Sequence, residues 1–438
     1  MTQDPAETAS KHDPYAAFRI PAYRHFLIGS LLVMIGTAAQ GLAIGWEIYE
    51  RTGQPLALGL VGLVQAVPML LFTLPAGYLA DVYDRRKLMM LSLAGATCTS
   101  VGLAVFSIMQ GPGWAMYLLL FLDAAILRLG APALSALMPL LVPVELFESA
   151  VKWRTSLFQI AGVAGPALGG FIIGWSVPAA YLCSAASTAF FILFLTTMKL
   201  PAAPRSTPGD MVGQVIEGIR FVWSRQLLLG AMSLDLFAVL LGGAVYLLPV
   251  FAKEIINLEP VGLEPAAALG WLRAAPAAGA GCMALLMAFL PPLRQAGRVL
   301  FWAVGGFGVA TIVFGLTDNF WLSWGMLFLT GALDNISMVV RHTLTQLATP
   351  NQMRGRVSSV SGVFIGSSNE LGGFESGLVA QWFSPVISVV SGGIGTLVVV
   401  AAWSGLFPGL RRLGTLSEIV SKKDEVDGKK EEAADAAT

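Results

Sequence analysis

Residues 362–380, GVFIGSSNELGGFESGLVA, are apolar enough to lie in a bilayer and yet hold Asn369, Glu370 and Glu375. A carboxylate at the middle of a membrane helix costs roughly 2.5–3.5 kcal/mol on insertion scales, so each one there needs a reason. Read as a span, this stretch is the eleventh of twelve and completes an even count. The fold turns on that reading.

The composition around it agrees. The 438-residue chain is 55% hydrophobic and 12% charged, with a mean hydropathy of +0.71, whereas ordinary soluble domains carry about 25% charged residues. This composition belongs to a polytopic membrane protein. The formal net charge is zero, so no overall field points to a nucleic acid. Cys98, Cys183 and Cys282 stand far apart in apolar stretches, with no disulfide framework or paired metal motif, and read as small core residues. The polar N-terminus up to Arg24 has no apolar segment ahead of a cleavage site, so no signal peptide is expected.

At about 20 apolar residues per crossing, the expected spans are 26–49, 56–80, 88–109, 115–139, 155–176, 179–198, 227–251, 265–290, 299–316, 320–341, 357–381 and 385–407. The predicted fold is all-α and integral to the membrane. It has two six-helix halves, 26–198 and 227–407, related by a pseudo-two-fold axis along the membrane normal. Residues 1–25 form a cytoplasmic tail, 199–226 a cytoplasmic linker, and 408–438 a charged, disordered cytoplasmic tail. With both termini inside, Arg51, Lys253 and Arg273 fall outside and Arg128 falls within a span. That leaves 23 of the 27 Lys and Arg on the cytoplasmic side, the bias that orients membrane proteins.

The linker opens with the Pro-rich KLPAAPRSTPGD. Val215, Ile216, Ile219, Val222 and Trp223 then recur at helical spacing against Glu217 and Arg220, which predicts an amphipathic helix on the inner membrane surface. A shift of 207 residues sets Pro143 on Pro350, Gly165 on Gly372 and Gly170 on Gly377, which suggests a parallel internal repeat of the kind found in transporters.

Between spans two and three stands GYLADVYDRRK, residues 77–87, which resembles the loop signature of the major facilitator superfamily, G-x-L-A-D-x-x-G-R-[KR]-x-[KR]. Gly77, Asp81, Arg85 and Arg86 match it, and Asp84 replaces a Gly. The resemblance implies that Gly77 lets helices approach closely and that Asp81 pairs with Arg85 or Arg86 in a gating cluster, with Arg354 and Arg356 as its counterpart before span eleven. AGVAGPALGG, residues 161–170, resembles the fifth-helix signature G-x-x-x-G-P-x-x-G-G of the superfamily's antiporters. By that resemblance Gly165, Pro166, Gly169 and Gly170 pack a helix that seals the cavity against proton leak, which marks an exporter. Further stretches beginning at Ala57, Leu234, Leu272 and Val339 resemble the siderophore and drug exporters of the enterobactin-exporter branch. There, this chain has Gly373 where many members carry Glu.

In the opening stretch, about 100° per residue puts Gly362, Gly366, Gly373 and Gly377 on one stripe that must pack on another helix. Asn369 lies on that stripe. Glu370 sits at its edge, directed to protein or to an internal cavity, and Glu375 points away. Asp123 and Arg128 on span four, Asp235 on span seven, and Asp334 and Asn335 on span ten also lie inside spans. By the resemblance, helices four, seven and ten face the central cavity, so these groups touch substrate, carry protons or pair with one another. Asp123 and Arg128, five residues apart, do not share a helix face. Glu47 and Arg273 are read near the far ends of their spans, where snorkelling suffices. Arg341 and His342 are read with the inner loop cluster.

No phosphate-binding loop, zinc-protease motif or nucleophile elbow is present, so neither ATP use nor catalysis is expected. The expected function is proton-coupled export of a small amphipathic compound, siderophore or drug-like, by alternating access. The alternatives are a lipid or lysolipid transporter, an uptake carrier or a receptor. The expected partners are a small-molecule substrate, protons and the bilayer of the plasma (inner) membrane. The chain is expected to act as a monomer with no nucleic acid, cofactor or metal.

Overall fold

A computed structural model describes residues 15–198, 211–291 and 293–415. The side chain of Asp81, most of the expected N-terminal tail, residues 199–210 of the linker and 416–438 of the C-terminal tail lie outside the described residues.

Six helices come first: α1 (Pro21–Thr52), α2 (Pro55–Val82), α3 (Arg85–Ile108), α4 (Gly113–Leu137), α5 (Val144–Trp175) and α6 (Val177–Thr197). The short α7 (Met211–Ser224) follows, and its outward side carries Ile216, Ile219 and Trp223. The seventh crossing is interrupted. Helix α8 (Gln226–Leu241) stops at Gly242, and the chain continues through a 3-10 turn at Ala244–Leu247, α9 (Leu248–Val250) and a π-helical turn at Phe251–Ile255. The remaining crossings are α10 (Pro265–Phe289), α11 (Ala296–Leu316), α12 (Phe320–Ala348), α13 (Arg354–Trp382) and α14 (Pro385–Leu406), before the single turn α15 (Pro408–Arg411). Among the described residues, eleven segments are long and apolar enough to cross a membrane. Helix α13 is the twelfth crossing. Its 29 residues suffice in length, and it packs along α2 and α8.

Local chemistry sets the helix ends. Gly53, at φ 61°, terminates α1 and returns its N–H to the Tyr49 carbonyl at 2.8 Å, while Pro55 starts α2. Asp84, the departure from the loop signature, caps α3 by accepting the Lys87 N–H at 3.0 Å. Asn319 caps α12 and Ser384 caps α14 in the same way.

The internal repeat appears in the packing of the shifted glycines. Gly165 lies against Ala38 of α1, and its counterpart Gly372 lies against Leu240 of α8, so each fits the fifth helix of a half to the first. Gly170 meets Gly270 of α10, and its counterpart Gly377 meets Gly59 of α2, so each joins one half to the other. A pseudo-two-fold relation requires these pairings.

The apolar core divides unevenly along the membrane normal. Toward the face that bears the termini there are two cores. One is built by the N-terminal half around Tyr23, Phe26, Leu137 and Phe191, the other by the C-terminal half around Leu228, Leu300, Val340 and Val357. Toward the opposite face a single core combines Leu42, Ile48, Leu58 and Tyr181 of the first half with Phe251, Leu269, Phe314 and Phe320 of the second. The halves therefore touch at the far face and part toward the terminal face.

Several expectations need correction. Residues 408–415 are not free tail: Leu410 is buried, and the Ala296 N–H donates to the Gly414 carbonyl at 2.9 Å. The tail expected over 1–25 is structured from Tyr15, since α1 starts at Pro21 and Tyr23 is fully buried. Cys98, Cys183 and Cys282 are exposed on helix surfaces and are not core residues. Glu47 does not snorkel. It is 4% exposed, paired with Arg51, and accepts the Tyr181 hydroxyl at 2.7 Å.

Candidate functional site

Where the halves meet, a hollow of about 360 Å³ is lined from both sides. Thr37 and Gly41 come from α1, Gln65 from α2, Pro166 from α5, Arg273 from α10 and Glu370 from α13. Tyr246 enters from the 3-10 turn that interrupts the seventh crossing. That interruption has a local cause: Gly242 and Gly243 supply no side-chain packing, and Pro249 supplies no N–H. The backbone at Gly243 comes close against Gly372 of α13, and the chain beyond it is free to aim Tyr246 inward.

The Tyr246 hydroxyl donates to Oε2 of Glu370. Glu370 is half-buried and shares the wall of the hollow with Arg273. Among the described residues, Arg273 Nη1 donates to the Val245 carbonyl at a long 3.5 Å. Arg128 is exposed on the face of α4 that also exposes Ala131 and Ser135. The wall of the hollow thus holds one arginine, Arg273, and one carboxylate, Glu370, and Arg128 is not among the residues that line it.

A second cluster lies inside the C-terminal half, where α8 meets α12. Arg341 forms a buried ion pair with Asp235, donates from Nε to the Ser337 hydroxyl at 3.3 Å, and approaches Asp334 at 4.0 Å. The Asp235 side chain is 5% exposed and that of Asp334 50%. Asp334 shares its free face of α12 with Met338 and His342. This cluster has two carboxylates for one arginine, whereas the hollow has one of each. Arg341 is therefore not part of the inner loop cluster. Asn335 is buried on the same helix, and its Oδ1 has no hydrogen-bond partner among the described residues.

Asp123 does not face the hollow. It is 6% exposed within the N-terminal half, where Thr99 of α3 donates to Oδ1 and Gln40 of α1 donates to Oδ2 at 3.2 Å. Ser100 in turn donates to Gln40 Oε1 at 2.6 Å. These bonds tie α4 to α1 and α3.

At the far face the halves are stitched together. The Tyr49 hydroxyl donates to Oε1 of Glu254, Lys253 Nζ lies 5.7 Å from the centre of the Trp46 ring, and the Leu56 N–H donates to Gln381 Oε1 at 3.4 Å. At the terminal face, Arg356 pairs with Glu217 of α7 and Arg354 Nε donates to the Gln346 carbonyl at 3.2 Å. Arg85 Nε donates to the Ala80 carbonyl at 3.5 Å, and Gly77 lines a groove between α2 and α13. Arg86 is partly buried at the start of α3. On α5, Gly165 and Gly169 abut α1 while Pro166 and Gly170 back onto Gly270 of α10, so this face joins three helices.

Of the residues singled out in the sequence, Glu370 lines the hollow and Arg128 does not, and Asp235 and Asp334 come together at Arg341. The expected glycine stripe of α13 meets α2 at two of its four positions: Gly366 packs on Met69 and Gly377 on Gly59, whereas Gly373 faces Tyr246 and Gly362 faces open space. Asn369 is exposed and donates to the Ile365 carbonyl of its own helix at 2.8 Å, so it bridges to no neighbouring helix. Sequence reasoning missed Tyr246, and it misplaced Arg273 at a span end. Depth was the available signal: Arg273 stands eight residues into α10, about 12 Å at 1.5 Å per residue.

The profile of a family described as transmembrane secretion effector matches residues 12–422. Enterobactin exporters EntS of Shigella boydii serotype 18 and Escherichia coli O1:K1 are each 26% identical over 394 residues, covering 86% of this chain and 90% of the relative. A solved bacterial homolog of the human lysosomal transporter Spinster, inward-facing and unoccupied, matches with a TM-score of 0.68 and 15% identity over 93% of this chain and 98% of that one. The nucleoside transporter NupG matches with a TM-score of 0.73 and 11% identity over 88% of this chain and all of that one. A profile spanning nearly the whole sequence, laid over twelve crossings in two repeated halves, is decisive: the chain is a multi-pass membrane transporter of the major facilitator superfamily and belongs to its transmembrane secretion effector family.

Proposed function

We propose that the chain is a proton-coupled exporter of a small amphipathic organic compound, placed in the plasma (inner) membrane with both termini cytoplasmic and working as a monomer by alternating access. The observation that carries this reading is the uneven core. One shared core closes the far face, two separate cores leave the terminal face parted, and a hollow with ionisable walls lies between them. The glycine contacts between α2 and α13 and between α5 and α10 are the natural rocking surfaces, because flat backbone contacts slide where interlocked side chains do not. The enterobactin exporters among the relatives support the outward direction.

Charge balance assigns the roles. In the hollow, one arginine, Arg273, stands with one carboxylate, Glu370, so the wall is balanced in charge. In the cluster at Arg341 the second carboxylate lacks a cation, so a proton supplies the missing positive charge. Asp334, the exposed member, is the entry point, and Asp235 relays the change to α8 and its interrupted continuation. The test is substrate-dependent proton movement in proteoliposomes. Transport should fall when the proton gradient is collapsed, and Asp334→Asn should uncouple proton movement from substrate movement. Unchanged transport without the gradient rejects the coupling.

One feature favours lipid or lysolipid transport as a second reading. An apolar groove of about 430 Å³ runs between α2 and α13 beside α7, lined by Leu70, Ile219, Val363 and Phe364. Competition for transport by lysolipid, and not by siderophores or drugs, would select this reading.

A further inference from the structure

We infer that the compound carried is a zwitterion, with its acidic group at Arg273, its ammonium group at Glu370 and its apolar body lying along Tyr246. This rests on the proposed transport reading and names its substrate class.

Arg273 of α10 and Glu370 of α13 are the charged residues on the wall of the hollow. Charges inside a span are costly, and opposite charges there ordinarily pair. These two form no ion pair with each other among the described residues. Tyr246 stands between them. Arg273 Nη1 donates to the carbonyl of Val245, at the backbone end of Tyr246, while Glu370 accepts from the hydroxyl at the other end. The ring between is pinned against Gly373, where an added methyl would lie 2.6 Å from it. Both charges keep capacity in reserve. A guanidinium has five donors and a carboxylate about four acceptor positions, and each makes one hydrogen bond among the described residues. Arg341, by contrast, is held by Asp235 and Ser337. Two opposite charges with spare bonding capacity therefore face one space, set apart along the length of one tyrosine side chain.

Such a wall discriminates among ligands by charge. A simple anion meets Arg273 with its head and is repelled by Glu370, and a simple cation meets the reverse. A neutral apolar body takes water from both charges and returns no bond to either, which is costly. A zwitterion gives each charge a partner, through charge-assisted hydrogen bonds at both ends. Between those ends the wall is mostly apolar, with Leu42, Leu58, Val61 and Leu269 around the space, which suits a carbon skeleton. At about 360 Å³ the hollow lies in the range of small-molecule sites. The spacing adds a second filter. A compound whose ammonium and carboxylate sit on one carbon reaches one end of Tyr246, whereas a body that holds them apart reaches both.

The experiment uses the full chain in lipid nanodiscs, with thermal shift and tryptophan fluorescence reading the binding of para-aminomethyl phenylacetic acid, its methyl ester, its N-acetyl derivative and the N-acetyl methyl ester. The zwitterion should bind about tenfold more tightly than the ester or the N-acetyl acid, equivalent to ~1.4 kcal/mol. Free phenylalanine, with its two charges on one carbon, should bind more weakly than the para compound. Arg273→Gln should abolish the preference for the zwitterion over its ester and keep the preference over the N-acetyl acid. Glu370→Gln should do the reverse. A purely structural role for either residue would weaken all the compounds together, and that result overturns the inference. Equal binding of the zwitterion and a singly charged analogue by the parent protein overturns it too. Should Arg273→Gln fail to fold, Glu370→Gln and the parent series carry the test. Zwitterion binding without flux in proteoliposomes under either gradient upholds the substrate class and rejects transport. Flux of the ester or the N-acetyl acid with the zwitterion ignored upholds transport and rejects the class.

Discussion

Gly59 of α2 and Gly377 of α13 meet backbone to backbone: a methyl group on Gly377 would lie 2.6 Å from the Gly59 Cα. Their symmetry counterparts, Gly170 and Gly270, meet as closely across α5 and α10, at 2.7 Å by the same measure. Overpacking a tight contact costs about 1–3 kcal/mol, and here the strain falls on the sealed arrangement. Gly377→Ala and Gly170→Ala should each lower the melting temperature and slow transport. Gly362→Ala, where nothing lies within 4 Å of the added carbon, should change neither. Equal effects at Gly362 and Gly377 would remove the rocking-surface argument.

The ion pair of Arg341 with Asp235 is buried on both sides. Removing one partner of such a pair strands the other and costs about 3–5 kcal/mol, whereas removing both costs much less. Arg341→Gln should therefore unfold at a clearly lower temperature than the parent, and Arg341→Gln with Asp235→Asn should recover most of the difference. Thermal denaturation of the four proteins as a double-mutant cycle measures the coupling.

The far seal depends on Tyr49 and Glu254, which belong to opposite halves. Tyr49→Phe removes a hydrogen bond to a charged group, worth about 1.5–3 kcal/mol. The overall fold should survive, since Tyr49 keeps its apolar packing. Hydrogen exchange over residues 248–256 should speed up while exchange in α3 stays unchanged. Unaltered exchange over 248–256 would exclude this pair as a latch.

Asp123 holds α1, α3 and α4 together and stays out of the hollow. Asp123→Ala leaves the buried Gln40 amide without this acceptor, while Thr99 keeps the Ala96 carbonyl at 3.0 Å, and should destabilise by about 1–3 kcal/mol. Asp123→Asn, of nearly the same shape, should keep transport close to the parent level. Abolished transport in a well-folded Asp123→Asn would place this residue in the coupling path after all.

Composition and periodicity alone determined the membrane class, the twelve crossings and the two-half repeat. Those features depend on how many apolar residues run together and on which glycines recur, and both are local properties of the chain. The shared face of the α13 glycines was legible for the same reason, but only Gly366 and Gly377 of it pack on α2, because the partner is chosen by the tertiary structure. What the ionisable groups do was not legible, because a charge inside a span is defined by its partner on another helix. Only the tertiary structure brought Tyr246 to Glu370, across 124 residues of sequence, and separated Asp235 and Asp334 from the hollow by pairing them with Arg341. It also moved Arg273 from a presumed membrane edge to the central site and turned Asp123 and Glu47 into internal ties. Packing between helices decides which charges balance each other. That balance, with Glu370 and Arg273 sharing the hollow and one carboxylate to spare at Arg341, exists only in three dimensions.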